Sequence, residues 1–333
     1  MPTSSKERWQ WRHTCRKRIL GDDRRRVTRV LVIGFGSIGQ RHARVFARLG
    51  TDVTVVSRRG DVDGVGVFRT IDAALRDAPP SFAVVADETS RHRETLSILR
   101  AGGFEGPVLV EKPIFDRILP GDELIETPAF VGYNLRFHPL ALALRAWLVD
   151  KTIVAAMLHV GQHLADWRPG RDYRKSYSAD ATLGGGALRD LSHELDLALW
   201  LFGPLQSVAA LGGNSGTLET AADDHGAILA SFARCPVATI TLNTLDRPAR
   251  RLIHVNTVEG AITLDFIAGT LVAEGQAIAH ATIVRDQTYI LQDSNFLAGG
   301  APPLCTLTEG LAALAFIDAV EYARRERIWV NVS

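Results

Sequence analysis

The apolar positions follow one rhythm up to about residue 150 and another beyond it. Val30 to Ile33 is an unbroken run of valine, leucine and isoleucine, as a strand buried on both faces requires. Ser37 to Leu49 then places Ile38, Val45, Phe46 and Leu49 at helical spacing and stops at Gly50, and a second strand, Asp52 to Val56, completes a βαβ unit. The alternation continues with a short helix over 71–78 ended by Pro79-Pro80 and a strand from Ser81 to Ala86. A helix opens at Asp87-Glu88-Thr89-Ser90-Arg91-His92 and runs to about Ala101, and strands follow at Gly106 to Val110 and Ala129 to Gly132. An amphipathic helix from about Leu140 to Leu148 closes the region. Strands separated by helices predict a doubly wound parallel sheet.

From Thr152 the strands come in series: Ile153 to Val160, Ala227 to Phe232, Val237 to Thr244, Arg251 to Thr257, and a pair joined near Glu259-Gly260 and Gly269. Strands without helices between them predict an α+β domain with a mainly antiparallel sheet. One long helix, Ala187 to Phe202, interrupts the series between Gly184-Gly185-Gly186 and the stop at Gly203-Pro204. A final amphipathic helix, Leu307 to Arg325, packs back across the chain, and no element is assigned between about Gln276 and Cys305. The chain therefore divides into an extension over 1–26, a nucleotide-binding domain over 27–150, and a substrate and oligomerisation domain over 151–333.

Composition narrows the functional classes. At 333 residues and 46% hydrophobic content, with no apolar run long enough to span a bilayer, the chain reads as a soluble two-domain protein. Cys15, Cys235 and Cys305 lie far apart and lack metal-ligand spacing, which points to reduced thiols, a cytoplasmic location and no metal site. The net charge of +1 hides an asymmetry: residues 1–26 carry nine Lys/Arg against three Asp/Glu, so the body is mildly acidic. That argues against nucleic acid as the main partner, since a phosphate-binding face would normally leave the fold basic. The basic segment reads as a disordered extension, or as the product of an upstream start codon with the native start nearer Val27; a functional basic arm is the lesser alternative.

The candidate chemistry gathers at the ends of the predicted parallel strands. Gly34, Gly36 and Gly39, within Gly34-Phe35-Gly36-Ser37-Ile38-Gly39, have the G-x-G-x-x-G spacing of a dinucleotide-binding turn. There Gly34 makes the tight turn, Gly36 admits the pyrophosphate and Gly39 lets the helix pack on the strand, while the first helical amides hold the phosphates. At the end of the second strand stand Ser57, Arg58 and Arg59, with no carboxylate for an adenosine ribose. Two guanidiniums there suit the 2′-phosphate of NADP, so NADP is favoured and NAD remains possible; the alternative is that both arginines are solvated loop residues. Asp87, Glu88, Thr89 and His92 form the loop after a further strand, where open α/β sheets place ligands, or simply an acidic helix start. Glu111-Lys112-Pro113 leaves another strand at the same edge, and Lys112 beside an apolar wall is a candidate acid/base group, although a lone lysine also reads as an ordinary surface side chain. Asp190, His193 and Asp196 recur at i, i+3 and i+6 and so share one face of an apolar helix, as a buried hydrogen-bonded pair or as an acid/base pair. Trp167, Arg168, Arg171, Tyr173, Arg174 and Tyr177 crowd a loop whose donors and aromatic faces suit a sugar ring, the alternative being a surface loop.

Taken in order, the Gly34 to Gly39 turn, Glu111-Lys112-Pro113, and Gly184-Gly185-Gly186 followed by Asp190 and His193 resemble the glucose-fructose oxidoreductase, inositol dehydrogenase and MocA (Gfo/Idh/MocA) family over nearly all of the chain after residue 26. Only Leu191 and Ser192 separate Asp190 from His193, where that family usually places three residues. The Asp87 to Ser90 loop, Gly132-Tyr133-Asn134-Leu135-Arg136-Phe137-His138-Pro139 and Asp190-Leu191-Ser192-His193-Glu194 are similar to a branch linked to amino-sugar or nonulosonate biosynthesis. The resemblance implies a Rossmann domain, a second domain whose open sheet forms a dimer or tetramer interface, and a nicotinamide cofactor. It further implies catalytic roles for Lys112, Asp190 and His193, with Glu111 and Asn134 at the cofactor and Tyr133 at the sugar or nicotinamide. The expected activity is hydride transfer between NAD(P) and a sugar, amino-sugar or sugar-nucleotide hydroxyl or ketone. The alternatives are a redox-assisted hydrolase or lyase with retained NAD(P), and a non-catalytic NADP-binding regulator.

Overall fold

The computed structural model describes residues 28–58, 65–124, 128–181, 184–282 and 284–332; the basic extension and Arg59 lie outside them. The first domain contains β1 (Arg29–Ile33), α1 (Ser37–Arg48), β2 (Asp52–Val56), β3 (Gly66–Phe68), α2 (Ile71–Asp77), β4 (Phe82–Val85), α3 (His92–Ala101), β5 (Val108–Val110) and β6 (Ala129–Val131), and leads into α4 (Pro139–Trp147). Its strands lie in the order β3-β2-β1-β4-β5-β6, all parallel, so the order reverses at β1 and opens a crevice at the carboxyl ends of β1 and β4. Val30, Leu31, Val32, Ala83, Val84 and Val108 are wholly buried, as helices on both faces of a parallel sheet demand.

The second domain is built on β7 (Ile153–Gly161), α5 (Ala187–Asp190), α6 (His193–Phe202), β8 (Leu205–Gly213), β9 (His225–Phe232), β10 (Cys235–Asn243), β11 (Arg250–Thr257), β12 (Gly260–Asp265), β13 (Thr270–Ala273) and β14 (Gln276–His280). The chain continues through α7 (Gln287–Leu297), β15 (Cys305–Thr306), α8 (Leu307–Glu326) and β16 (Val330–Asn331). The large sheet runs β14-β13-β12-β11-β7-β10-β9-β8-β16 and is antiparallel except where β7 and β10 pair in parallel. Among the described residues no helix is long and apolar enough to cross a membrane.

Three features depart from the pattern of apolar positions. The helix expected over 187–202 is two helices, because Lys112 Nζ donates to the Asp190 carbonyl oxygen at 2.6 Å, and the Glu194 amide turns to Leu191 O instead. Asp190 thus ends one helix and His193 begins the next, so they do not stand on one uninterrupted face. The stretch left unassigned holds α7, which packs against α1; its Phe296 ring meets Phe46, Phe82 and Phe130 at centroid distances of 6.4, 5.3 and 6.0 Å. Finally, β15 pairs antiparallel with β6, so residues 287–306 return to the first sheet after the second domain is complete.

The two domains are joined by a buried ion pair. Arg136, 2% exposed, donates through Nε and Nη2 to the Asp196 carboxylate of α6, with the shortest contact 2.6 Å, and through Nη1 to Glu309 at 2.9 Å. Glu309 also completes a capping box with Thr306 at the start of α8, so one guanidinium fixes both helices to the first domain. Removing one partner strands a buried charge: Asp196→Ala should cost about 3–5 kcal/mol in urea denaturation, and pairing it with Arg136→Met should recover most of that loss. Equal stability of Asp196→Ala and the parent would show that the pair contributes nothing.

Candidate functional site

The glycine turn is shaped by what its glycines leave room for. Gly34 has φ of 89°, and a Cβ there would strike the backbone of Ala86 and Asp87 at the end of β4. A Cβ on Gly39 would strike the Gly34 carbonyl oxygen, so the helix packs against the turn only without one. At Gly36 a Cβ would meet nothing within 4 Å, and no side chain caps α1. The unpaired amides of the first helical turn therefore face open space, which fits a pyrophosphate. Phe35 and Ile38 are partly buried beside this opening, and Ser37 is exposed at it.

Around the crevice the strand ends bring some predicted residues to the site and divert others. Ser57 is buried at the end of β2 and Arg58 beside it is exposed, while the third member of that trio, Arg59, falls outside the described residues. Glu88 is exposed, and Thr89 Oγ1 lies 3.3 Å from Tyr177 Oη of the second domain. Asp87 accepts from Thr95 Oγ1 at 2.7 Å, an anchor for the start of α3. Three residues expected at the cofactor also have partners within the protein. His92 is buried, with Nδ1 3.0 Å from Ile114 O; Asn134 donates to Thr288 Oγ1 at 2.7 Å; and Glu111 Oε1 lies 2.8 Å from His42 Nε2.

That last contact belongs to a cluster the apolar pattern does not reveal. His42, fully buried on α1, also lies 2.8 Å from Asp293 of α7. Burial alone would lower its pKa, but the two carboxylates outweigh it and raise it to about 10, so the imidazole is held as a cation. The signal in the chain is slight: His42 follows Gly39 by three residues and so faces the sheet, but its partner is 251 residues away.

Lys112, Asp190 and His193 converge beneath the crevice. Besides its bond to the Asp190 carbonyl oxygen, Lys112 has its pKa lowered by burial, with Arg251 assisting and Asp190 and Glu111 opposing. Burial, Lys112 and Arg251 together push His193 well below the usual imidazole range, and burial raises Asp190. Each group is thereby driven toward its neutral form. Among the described residues Asp190 Oδ2 and His193 Nδ1 are buried without a hydrogen-bond partner, and no hydrogen bond joins Asp190 to His193. Ser178 bonds the Asp190 carboxylate instead, while the Tyr133 ring packs edge-on to His193 at 5.6 Å. Asp196, the third member of the expected polar row, is turned away into its pair with Arg136.

A cavity of about 300 Å³ adjoins this group, and Ser178 lines it. Its walls include Trp167, Arg168, Arg171, Tyr173 and Lys175. Trp167 Nε1 is anchored to Gln162 O at 3.0 Å and Tyr173 Oη accepts from the Glu219 amide at 3.3 Å, so both rings are fixed. Arg174 points away, paired with Asp172 and Glu219.

A parallel sheet of order 3-2-1-4-5-6, a glycine cradle at its switch point and a second domain that carries polar groups to the same crevice define a two-domain protein of the Rossmann dinucleotide-binding class. Residues 142–263 match the family model of the GFO/IDH/MocA C-terminal domain. Comparison with curated protein sequences gives no match. GenD2 from gentamicin A biosynthesis, solved with NAD, is 23% identical and superposes with a TM-score of 0.75 over 92% of this chain and 97% of its own. WlbA dehydrogenase from Bordetella pertussis, solved with NADH and UDP-GlcNAcA, is 20% identical with a TM-score of 0.75 over 92% and 99%. UDP-N-acetylglucosamine 3-dehydrogenase GnnA from Acidithiobacillus ferrooxidans is 20% identical with a TM-score of 0.71 over 90% and 98%. At these identities the likeness establishes the shared fold.

Proposed function

We propose that the chain is an NAD(P)-dependent oxidoreductase that exchanges hydride with a hydroxyl or ketone carbon of a sugar, amino sugar or sugar nucleotide. The observation that carries this reading is the convergence of Lys112, Asp190 and His193, with buried polar atoms lacking partners, beside the open cradle at Gly36. Leaving such atoms unpaired costs about 1–3 kcal/mol each, which a substrate hydroxyl would recover. The substrate class is supported by the aromatic and cationic cavity walls and by the sugar-nucleotide names attached to WlbA and GnnA.

A dinucleotide held by the Gly36 amide and the first amides of α1 would supply the hydride acceptor or donor. In the oxidative direction His193, neutral because it is buried, takes the proton of the substrate hydroxyl, and in reduction it returns it. Lys112, anchored on the Asp190 carbonyl oxygen, donates to the substrate oxygen as negative charge develops there. Asp190 acts through that anchor and holds Lys112 in place. For the coenzyme, Ser57-Arg58-Arg59 in place of a carboxylate directly after β2, and the exposure of Arg58, support NADP, whereas GenD2 and WlbA were solved with NAD and NADH. We also propose a homo-oligomer built on the open face of the large sheet, where Val154, Met157 and Leu229 are exposed while their neighbours Ala156, Leu158 and Ile228 face the core.

His193→Asn and Lys112→Ala should each lower kcat by about 10²–10⁴-fold with NADH binding retained, and undiminished turnover would remove the residue from the mechanism. Because His193 must be neutral and Lys112 charged, activity should fall on the acid side only below the ordinary imidazole value of 6.5, and on the alkaline side already below the ordinary lysine value of 10.5. Separate fluorescence titrations with NADPH and NADH test the coenzyme: Ser57→Asp with Arg58→Ala should shift preference toward NADH, and unchanged selectivity would place the 2′-phosphate elsewhere. For the oligomer, Met157→Asp with Leu229→Asp should yield monomer in light scattering; an unaltered mass would refute the interface.

A further inference from the structure

The strand end that carries Lys112 is gripped from behind. His42 of α1 is wholly buried between two carboxylates, and as a cation it donates from Nε2 to Glu111 and from Nδ1 to Asp293 of α7, each at 2.8 Å. Tyr289 of α7 packs edge-on to the imidazole at a centroid distance of 5.5 Å, and the Arg41 guanidinium lies over the Tyr289 ring at 4.8 Å. Gly132, just past β6, leaves room for the Glu111 carboxylate: a Cβ there would lie 2.9 Å from Oε1. Glu111 is thereby committed to the α1 side of β5. Its Oε2 meets Lys112 only at the backbone amide, 3.3 Å away, while Lys112 Nζ reaches across to the Asp190 carbonyl oxygen at 2.6 Å.

The charges around Lys112 give that commitment a consequence. Its ammonium is faced by Glu111 from its own strand end, by Asp190 from α5, by Glu194 from α6 and by Arg251 from β11. Glu194 is taken by Arg251, at 2.6 and 2.9 Å. Glu111 is the neighbour in sequence, and a carboxylate left unpaired beside a buried ammonium would bind it and hold its proton. A lysine so held would have to break a salt bridge before donating to a substrate oxygen. His42 removes that competitor.

We propose that His42 is a positioning residue for Lys112: clamped by Asp293, its imidazole holds the Glu111 carboxylate on the α1 side of the strand end and so leaves Lys112 Nζ to the Asp190 carbonyl oxygen and the substrate. Through Asp293, helix α7 takes part in setting the site although it follows the second domain in the chain. The proposal rests on the role given to Lys112 above, but the contacts it concerns are testable without a substrate.

The test is the pH dependence of Lys112 acetylation by acetic anhydride in the full chain, followed by mass spectrometry with the exposed Lys175 as internal reference. Burial places the parent midpoint below the ordinary lysine value of 10.5. His42→Gln should raise that midpoint by about 1 pH unit or more, as Glu111 turns to the ammonium, and adding Glu111→Gln should return it to the parent value or below. Asp293→Asn, the milder change, should raise it by less, because an imidazole with one carboxylate loses its proton sooner; if His42→Gln does not fold, this variant decides. An unchanged midpoint in the deciding variant, with Lys112 merely more reactive at every pH, would show a packing role alone and overturn the proposal. A raised midpoint that persists when Glu111→Gln is added would overturn it as well. Undiminished turnover in Lys112→Ala would instead overturn the role of Lys112 in the reaction, and with it the bearing of His42 on that reaction, whatever the midpoints.

Discussion

The arrangement of the whole chain depends on the buried pair between Arg136 and Asp196. Taking a guanidinium and a carboxylate out of water costs several kcal/mol per ion, so the pair is tolerable only when nearly every donor and acceptor is used. Here Nε and both Nη atoms of Arg136 are engaged, by Asp196 and by Glu309. That requirement fixes the distance between the 134–137 turn, α6 and the start of α8. Because α6 begins at His193, fixing its body also fixes where that imidazole enters the crevice.

The same burial that makes the pair demanding makes the site chemically useful. Lys112 and His193 both lose affinity for protons because the crevice floor is poor in solvent, and Arg251 adds to both effects. Arg251 is itself held by Glu194 at 2.6 Å, the residue next to His193, so its charge is compensated without being removed from the site. The helix break serves the same end. A continuous helix would spend the Asp190 carbonyl oxygen on the Glu194 amide; the break hands it to Lys112. A structural departure of one hydrogen bond thus becomes the anchor of the group proposed to stabilise the substrate oxygen.

Much of this was legible in the chain, and what was not has physical causes. The βαβ unit, the glycine turn and the antiparallel series are written in apolar periodicity and in glycines that only a tight turn explains. The break at Leu191-Ser192 is not, since neither residue is a strong helix breaker and the cause is a lysine 78 positions earlier. Helix α7 was missed because the side chains it buries include Thr288, Gln292 and Asp293, which leave no apolar stripe to read. For the same reason the partners of Glu111 and Asn134, His42 and Thr288, could be found only in three dimensions. Polar residues at a sheet edge announce a site, but not which of them the protein keeps for itself.

The contacts that close the crevice differ enough in strength to separate scaffold from moving part. Arg136 with Asp196, and His42 with Glu111 and Asp293, are buried pairs whose disruption leaves charge stranded, at about 3–5 kcal/mol for a pair of this kind. The ties of the 164–180 segment, Arg168 to Ser37 and Tyr177 to Thr89, involve exposed or partly buried neutral acceptors, each contributing about 0.5–1.5 kcal/mol. The hydrophobic support under that segment is the small cluster of Leu164, Ala179 and Leu218, apart from the main core. These ties therefore hold the segment by less than the energy that joins the domains and keeps α6, His193 and Lys112 in register.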